Sequence, residues 1–504
     1  MVVASQLSEL PNTLEACENE PHQFIASIQS IGALIAFTAD DHRIQAASEN
    51  IEEFTDIKHR DVVSSKLEHV IGPAVSDEVL ALARDLSSTH NRAHLSFQIL
   101  ETNLDASVFK TGDLCFLEVE PSIPTADTTE IIKAALIDLR NERDLLKLAQ
   151  IVCRAVHQVT GMDRVMLYRF IEPHYHGEVI AEHRVLSTHS YNRHRFPASD
   201  IPRIARDLYL RNNVRQIPDV SLPTTLVTPS KIPGTNRPID LSDSRIRAVS
   251  PIHLEYMRNM KVGCSFSVAV IVDQKLWGLI ACHNLQPRRI PVRQRSACEM
   301  VANAFAGQAR LIVETKAQSD KLNFMMKQSE VMESVLMGER SADELLRRHP
   351  AIFDAFEATG VAVVRGSHVD FAGLCPPRTE LKTYAETFLN RMKASDQQVL
   401  ASESLSADFP ELAQIPHIAC GAIAGRIGED GVAFLFRPEI IETIIWGGDP
   451  RKQLDRKKLE GRINPRTSFD AWEETIGLHS APWAEYEIAG FRRLKEVVFE
   501  RPQA

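Results

Sequence analysis

The residues of this chain that could do chemistry point to the binding of a ligand. The loop PASDIP, residues 197–202, holds Asp200 between two prolines that restrain the backbone on both sides. Such a loop can present a carboxylate or a carbonyl oxygen at a fixed position; a plain surface turn is the alternative. The sequence contains no GxSxG, HExxH, phosphate-binding loop or GxGxxG motif of the kind found in hydrolases, zinc proteases and nucleotide-binding enzymes.

Histidine, tyrosine and serine side chains follow at spacings that predict shared faces. In SPIHLEYM, His253 and Tyr256 are three positions apart and would lie on one face of a helix, although a core histidine is the alternative. Ser265 and Ser267 alternate with apolar residues, so both hydroxyls would leave the same face of a strand. That face is either the wall of a pocket or the wet side of a core.

Arginines between these motifs offer positive charge: Arg206, Arg211, Arg215 and Arg247. Arg211 and Arg215 are four positions apart in ARDLYLRNNVR, which predicts one helix carrying both. Guanidinium groups suit carboxylates, whereas a solvated helix face is the alternative. Cys17 is flanked by Glu15 and Glu18, and acidic neighbours do not lower the pKa of a thiol, so by this test it is an inert thiol.

The elements that must position these residues are predicted from periodicity. In DRVMLYRF, Met166 and Tyr168 share one face of a strand with Phe170, and Val165 and Leu167 share the other. SFSVAVIV and LWGLIACHN form a hairpin that turns at residues 273–275 and ends near His283. Residues 33–47 form a further hairpin, 129–160 are helical, and a helix of roughly 40 residues, about 60 Å long, follows residue 292. The fold class is therefore α+β.

Composition bounds the class of protein. The 504 residues suggest three domains, and 44% hydrophobic with 25% charged residues is typical of a globular chain. A net charge of −10 disfavours nucleic acid as a partner, and no apolar stretch is long enough to span a membrane. The N-terminus is too acidic for a secretory signal, and the eight cysteines include no CxxC pair. We therefore expect a cytoplasmic protein with no metal site.

In their joint order, these motifs resemble the bacterial phytochromes. The resemblance starts at Cys17 with Cys-x-x-Glu-Pro and SIQ, and continues through DRVMLYRF, GEVIAE, PASDIP, LYLRN, SPIHLEYMRNM, LWGLIACH, WGGDP and PRTSF. It implies three domains named PAS, GAF and PHY, each an antiparallel sheet with flanking helices, joined by a long helical spine. Their expected limits are a leader at 1–19, PAS at 20–125, GAF at 126–315, and PHY at 316–504 with a tongue extension at about 436–482.

The resemblance also implies a red/far-red photoreceptor that is not itself an enzyme and that binds biliverdin, a linear tetrapyrrole, covalently at Cys17. Ile252 stands where plant and many cyanobacterial members carry their attachment cysteine, which favours Cys17. The implied cofactor-binding residues are Cys17, Tyr168, Asp200, Ile201, Tyr209, Arg215, Arg247, His253, Tyr256, Ser265, Ser267 and His283. Two alternatives stay open: a PAS–GAF sensor of a soluble small ligand, and a bilin-metabolising enzyme.

Signalling residues are implied in the tongue extension: Arg466, Ser468 and Trp446. Arg466 would pair with Asp200, and light would break that pair so that the extension refolds. The output would be a separate module, with a histidine kinase or response regulator as partner. A homodimer is expected through an apolar stripe on the long helix: Met325, Met326, Val331, Val335, Leu336 and Met337.

The chain departs from the family pattern in two places. Ile31 replaces a histidine of the family's SIQPHG, and the stretch HSYNRHRF before Pro197 is unusually rich in His and Arg. The resemblance further implies that the region of Ile28 threads through a loop of the second domain.

Overall fold

The computed structural model describes residues 22–87, 92–185, 188–336, 351–412, 414–450 and 467–499. These residues fall into two compact units, one made of residues up to 312 with 445–472, the other of 313–444 with residues from 473 onward. Cys17, Met337 and Arg466 lie outside the described residues.

The first unit begins with an antiparallel sheet flanked by short helices. Its strands are β1 Ser27–Gln29, β2 Ala33–Thr38, β3 Ile44–Ser48, β4 Arg92–Ile99, β5 Thr102–Thr111, β6 Leu114–Pro121 and β11 Thr224–Thr228, in the order β1-β11-β3-β2-β6-β5-β4. Its helices are α1 Glu52–Thr55, α2 His59–Val62, α3 Leu67–Ile71 and α4 Pro73–Asp85. The hairpin predicted for residues 33–47 is confirmed as β2 and β3.

Strand β1 is held on both edges by a distant part of the chain. On one edge it pairs with β11, where Ser27 lies opposite Leu226. On the other edge the Gln29 N–H donates to the Ile246 carbonyl (2.7 Å) and the Ala248 N–H donates to the Ser27 carbonyl (2.9 Å). Strand β1 is thereby enclosed between residues 224–226 on one edge and residues 246–248 on the other.

A second sheet in the same unit provides the platform for the candidate site. Its strands are β7 Arg164–Ile171, β8 His176–Arg184, β9 His194–Phe196, β10 Val214–Ile217, β12 Cys264–Val272 and β13 Lys275–Asn284, in the order β10-β12-β13-β7-β8-β9. Its helices are α5 Thr129–Asn141, α6 Leu145–Thr160, α7 Arg203–Arg211, α8 Pro251–Asn259 and the first part of α9, Val292–Leu336. The predicted long helix is thus confirmed as α9, which has 45 residues.

The helical structure predicted over residues 129–160 is present as two helices. α5 ends at Asn141, and α6 begins after Asp144, whose carboxylate caps the new helix by accepting from the Lys147 N–H (2.9 Å). At its other end α6 stops at Gly161, which takes the left-handed conformation (φ 63°) that favours glycine. The capping carboxylate of Asp144 accounts for the division between the two helices.

The alternation predicted for β7 is confirmed. Val165 and Leu167 face helices α5, α6 and α9 in the main core of this domain. Met166, Tyr168 and Phe170 pack on the opposite face with a second set of aromatic residues. The hairpin of β12 and β13 turns at Asp273 and Gln274, both with positive φ, as in a two-residue β-hairpin.

The second unit contains a five-stranded antiparallel sheet. Its strands are β14 Gly360–Arg365, β15 His368–Gly373, β16 Val399–Ser402, β17 Gly421–Ile427 and β18 Gly431–Arg437, in the order β15-β14-β18-β17-β16. Its helices are α10 Ala351–Phe356, α11 Arg378–Ser395, α12 Leu405–Asp408 and α13 Glu485–Leu494, with a π-helical turn at Lys495–Phe499. Strands β19 Glu442–Gly447 and β20 Ala471–Ile476 carry the chain from one unit to the other.

Part of the apolar stripe on α9 packs within this second unit. Val331 is buried (2% exposed) and joins Phe324 in the core around β14 and β17. The homodimer prediction required Val331 to contact a partner, but its side chain is buried within its own unit. Met325 and Met326 are 46% and 59% exposed.

Candidate functional site

A cavity of about 280 Å³ lies on the face of the second sheet that the helical core leaves free. It is bounded by β7, β12 and β13, by helices α7 and α8, and by the loop of residues 197–202. Eleven of the twelve predicted cofactor-binding residues line it: Tyr168, Asp200, Ile201, Tyr209, Arg215, Arg247, His253, Tyr256, Ser265, Ser267 and His283. The twelfth, Cys17, lies outside the described residues.

The PASDIP loop is fixed in position by side chains. Residues Ala198–Asp200 form one 3₁₀ turn. The Asp200 carboxylate accepts a hydrogen bond from the Tyr256 hydroxyl (2.8 Å), which ties the loop to α8. The Ile201 carbonyl accepts from Arg206 (2.7 Å), whose guanidinium lies over the Tyr175 ring at 4.9 Å. The loop is therefore part of the cavity wall and not a plain surface turn.

Helix α8 turns one face toward the cavity. The rings of His253 and Tyr256 are stacked, with centroids 6.0 Å apart and planes 9° apart. Burial, with a smaller effect from the Arg215 charge, lowers the pKa of His253 to about 4. His253 is thus neutral at pH 7 and can both donate and accept a hydrogen bond.

Arg215 and Arg247 bring positive charge to the cavity without using all their donors. Arg215 donates from Nη2 to the Ala248 carbonyl (2.8 Å), and Arg247 donates from Nη1 to the carbonyls of residues 241 and 242 (both 3.1 Å). Among the described residues, Arg215 Nη1 and Arg247 Nε are buried without a hydrogen-bond partner. Burial lowers the pKa of Arg215 to about 10 and, with the Arg215 charge, that of Arg247 to about 9. Both are cations at pH 7.

The helix predicted to carry both Arg211 and Arg215 is wrong. α7 ends at Arg211, and Arg215 lies on β10, where it pairs with Ser267 of β12. The intervening Asn-Asn pair favours helix termination, and the pairing with β12 decides that residues 214–217 are extended. Arg211 turns away to Asp243 (2.7 Å).

The strand residues add neutral hydrogen-bonding groups. Ser265 and Ser267 both line the cavity, as their alternation predicted, and the Tyr209 hydroxyl is 2.7 Å from Ser267 Oγ. His283 lies opposite Ser265 across β12 and β13. Burial, and then the charge of Arg164, lowers the pKa of His283 to about 3; its Nδ1 is buried without a partner among the described residues.

The rest of the wall is apolar and aromatic. The Tyr168 ring meets Phe170 edge-on at 5.3 Å and lies 6.1 Å from Phe196. Lining residues that the sequence analysis missed are Met257, Met260, Phe196, Leu208, Asn212 and Ser250. Met257 and Met260 follow His253 and Tyr256 by four positions on α8, so helical spacing could have found them.

Residues of the predicted tongue also reach the first unit's aromatic cluster. Ile445 and Trp446 pair in parallel with β9, and Trp446 meets the His176 ring edge-on at 5.2 Å. Phe469 is buried and meets the Tyr256 ring edge-on at 5.1 Å. Ser468 is exposed and donates to Asp470 (3.1 Å). Arg466 lies outside the described residues.

The other nucleophiles of this domain are unreactive. Cys264 and Cys282 are fully buried in the core behind the sheet, and burial raises the pKa of Cys264 to about 12. The part of the chain that the structure describes has no cluster of three or more histidine, cysteine or acidic side chains that could hold a metal ion. It also contains no helix long and apolar enough to cross a membrane.

Three families match consecutive parts of the chain: "PAS fold" at residues 17–122, "GAF domain" at 144–313 and "Phytochrome region" at 325–503. The expected fold class, with these three domains, is thereby confirmed. The expected domain limits stay predictions.

Similar proteins span the whole chain. A bacteriophytochrome of Pseudomonas aeruginosa is 33% identical over 96% of this chain and 66% of its own length. Cyanobacterial phytochrome A of Nostoc is 31% identical over 95% of this chain and 64% of its own length. The chain therefore spans slightly less than two thirds of these curated relatives. A crystal structure of a bacteriophytochrome from R. palustris, 30% identical, superposes with a TM-score of 0.83 over 96% of this chain and 98% of its own.

Proposed function

The chain belongs to the bacterial phytochromes, and from this we propose that it is the light-sensing part of a red/far-red photoreceptor that holds biliverdin in the cavity described above. The observation that carries the proposal is the pair Arg215 and Arg247, which line a cavity with aromatic walls and each have a buried N–H group with no partner among the described residues. Such donors favour a ligand with carboxylates, and the walls favour a long conjugated face. A linear tetrapyrrole has both.

Each group of lining residues then has a role. Arg215 and Arg247 bind the propionate carboxylates, and the Tyr209 hydroxyl with Ser265 and Ser267 completes their hydrogen bonds. When bound, a bilin supplies the absorption of red light and a double bond that isomerises on excitation.

The polar groups of the loop and of the two histidines orient the pigment. Asp200 would offer its backbone carbonyl to the pyrrole N–H groups, with Ile201 beside it, and His253 would share the hydrogen bonds there; all three line the cavity. His283 would donate to the carbonyl of the terminal ring, and Tyr168 and Tyr256 would pack around that ring. The neutral imidazoles of His253 and His283 suit these hydrogen bonds, because a protonated histidine would add positive charge to a cavity that already holds two cations.

Covalent attachment is proposed at Cys17. Its thiol would add across a vinyl group: the S–H bond and the π bond break, a carbon–sulfur bond and a carbon–hydrogen bond form, and no oxidant is required. Two facts support this choice: Ile252 occupies the alternative attachment position, and Cys264 and Cys282 are buried with raised pKa values. A thiol in that condition is unreactive.

Signal transfer is proposed to run from the pigment through the tongue extension to a separate output module. The buried contacts of Trp446 and Phe469 with the domain that forms the cavity support a coupling of this extension to the site. Arg466 and Ser468 are proposed to take part, and a histidine kinase or response regulator is the proposed partner.

The test of the function is to mix the purified chain with biliverdin and record absorption spectra before and after red and far-red light. We expect a stable red-absorbing complex and a reversible far-red shift. A chain that takes up no pigment, or one whose spectrum does not respond to light, would contradict the function.

The test of attachment is denaturation of the same complex. Cys17→Ser should keep the pigment under native conditions and release all of it in denaturant, whereas the matched control Cys264→Ser should retain it. Pigment that stays on denatured Cys17→Ser protein would exclude Cys17 as the only attachment site.

A further inference from the structure

A row of polar side chains crosses four strands on the cavity face of the second sheet. In register, Ser265 of β12 lies opposite His283 of β13, His283 opposite Arg164 of β7, and Arg164 opposite Arg184 of β8. Directly opposed residues of antiparallel strands project from the same face and interact. Ser265 and His283 line the cavity, whereas Arg164 is not a lining residue and lies next to His283 in register. The function proposed above gives Arg164 no role.

Arg164 is a buried cation in an ion pair. Its Nε lies 3.0 Å from Glu182 Oε1, and the two side chains are only 8% and 4% exposed. The Arg164 guanidinium also covers the Tyr191 ring, 4.4 Å from its centroid, and donates from Nη2 to the carbonyl of His189. Glu182 in turn accepts hydrogen bonds from the Ser190 hydroxyl (2.6 Å) and the Tyr191 N–H (3.2 Å).

These contacts attach the unusual HSYNRHRF stretch to the cavity wall. Arg164 and Glu182 together contact three consecutive residues of it, 189–191. Tyr191 is buried and meets the Phe196 ring edge-on at 5.6 Å, and Phe196 lines the cavity. A change in the ion pair would therefore be transmitted to the wall through two aromatic rings.

The same cation acts electrostatically on His283. The groups that face this imidazole are the Arg164 guanidinium from β7, His253 from α8 and the Ser265 hydroxyl from β12. Burial is the largest reason why the pKa of His283 is low, and Arg164 is the next. Glu182, in contact with Arg164, partly compensates that positive charge.

We propose that Arg164 is a positioning residue of the chromophore site: paired with Glu182, it holds residues 189–191 against the cavity wall and disfavours protonation of His283. This rests on the proposed function, because His283 is the donor to the terminal ring. A neutral imidazole can hold one proton toward that ring at every physiological pH. A protonated one would place a second cation beside Arg164.

The experiment follows the His283 ring by NMR in apoprotein labelled at histidine, between pH 8 and 4.5, with His283→Gln used to assign its signal. In the parent protein we expect a neutral ring throughout. Arg164→Met removes the cation next to His283, while Glu182 keeps Arg184, whose Nε lies 3.8 Å from Glu182 Oε2. Because the burial remains, the His283 titration should move up by about one pH unit, at the lower end of the usual effect of a nearby charge, and protonation should begin within the measured range. Arg164→Gln serves if the Met variant does not fold.

Glu182→Gln separates charge from packing. It leaves Arg164 uncompensated, so His283 should stay neutral throughout, although the loop loses hydrogen bonds. Loosened packing alone would admit water and make His283 titrate in both variants. Arg164→Lys keeps the charge and should also leave His283 neutral. Arg169→Met, on the same strand but the other face, is the matched control and should match the parent.

The positioning half of the proposal is read by hydrogen exchange of the peptide that spans residues 188–196. We expect exchange to be about tenfold faster or more in Arg164→Met and Glu182→Gln, and at the parent rate in Arg169→Met. A His283 titration in Arg164→Met that matches the parent, or exchange unchanged in both ion-pair variants, would overturn the proposal. Neither readout uses pigment, so these outcomes are distinct from a failure of the parent to bind biliverdin.

Discussion

Two buried guanidinium groups beside the cavity lower the stability of the folded chain unless a hydrogen-bond acceptor pairs with their free N–H groups. A buried donor without a partner costs about 1–3 kcal/mol, and Arg215 and Arg247 each have one such donor among the described residues. Replacing these residues by apolar ones would remove that cost and also the capacity to bind carboxylates. Under the proposed function, these donors destabilise the empty form and gain their partners when the anionic ligand binds.

Asp200 is the side chain that we expect to matter for the light response more than for binding. Its carboxylate accepts from Tyr256, whereas its proposed contact with the pigment is the backbone carbonyl, which Asp200→Ala preserves. The variant should take up biliverdin as the parent does and lose most of the light-induced far-red shift, measured by difference spectroscopy. Asp207→Ala, an exposed carboxylate on α7, is the control and should photoconvert normally. A normal photocycle in Asp200→Ala would remove this role.

We expect the contacts of the tongue extension to set the lifetime of the photoproduct. Phe469→Ala would remove the edge-on contact with Tyr256 and, with it, part of the restraint on the Asp200 partner. Truncating a buried phenylalanine costs about 3–5 kcal/mol in a packed core, and we expect the rate of dark reversion to change severalfold with pigment binding intact.

Arg466→Ala is expected to change the dark reversion rate as well, if its guanidinium pairs with Asp200. Thr467→Ala, an exposed neighbour in the same segment, is the control. Reversion at the parent rate in both Phe469→Ala and Arg466→Ala would show that the extension does not restrain the site.

The elements that local pattern decides were predictable. The two faces of β7 and the hairpin of β12 and β13 follow from alternation with period two, and α9 follows from a long run of good helix formers. Eleven cavity residues were identified from the sequence, but through family resemblance; their spacing alone left core and surface alternatives open.

The elements that distant contacts decide were not predictable. Arg215 lies on a strand and not on the expected helix, because β10 pairs with β12, some fifty residues further along the chain. The contact of Phe469 with Tyr256 joins positions still further apart. Such pairings depend on the closure of long loops and leave no mark in local periodicity.

A homodimer through α9 stays a prediction, but the surface of the helix that could form the contact is smaller than the sequence suggested. Val331 packs within its own unit, which leaves Leu322, Met325 and Met326 as exposed apolar residues of the helix at 61%, 46% and 59%. Leu322→Glu combined with Met326→Glu should give a monomeric mass by light scattering at tens of micromolar, where the parent should give a dimer. Gln318→Glu adds one of these two negative charges at another exposed position and should stay dimeric. A monomeric parent would contradict the dimer.

The enclosure of β1 affects how the protein folds while it is being synthesised. Its partner strand β11 leaves the ribosome about 200 residues later, which at about 5–20 residues per second is a delay of roughly 10–40 s. During that delay, strand β3 lacks the partner that β11 later provides, so one edge of β3 is unpaired. Nascent chains are therefore expected to expose an unpaired strand edge until residue 228 has emerged, and chaperones that recognise such edges have that interval in which to bind.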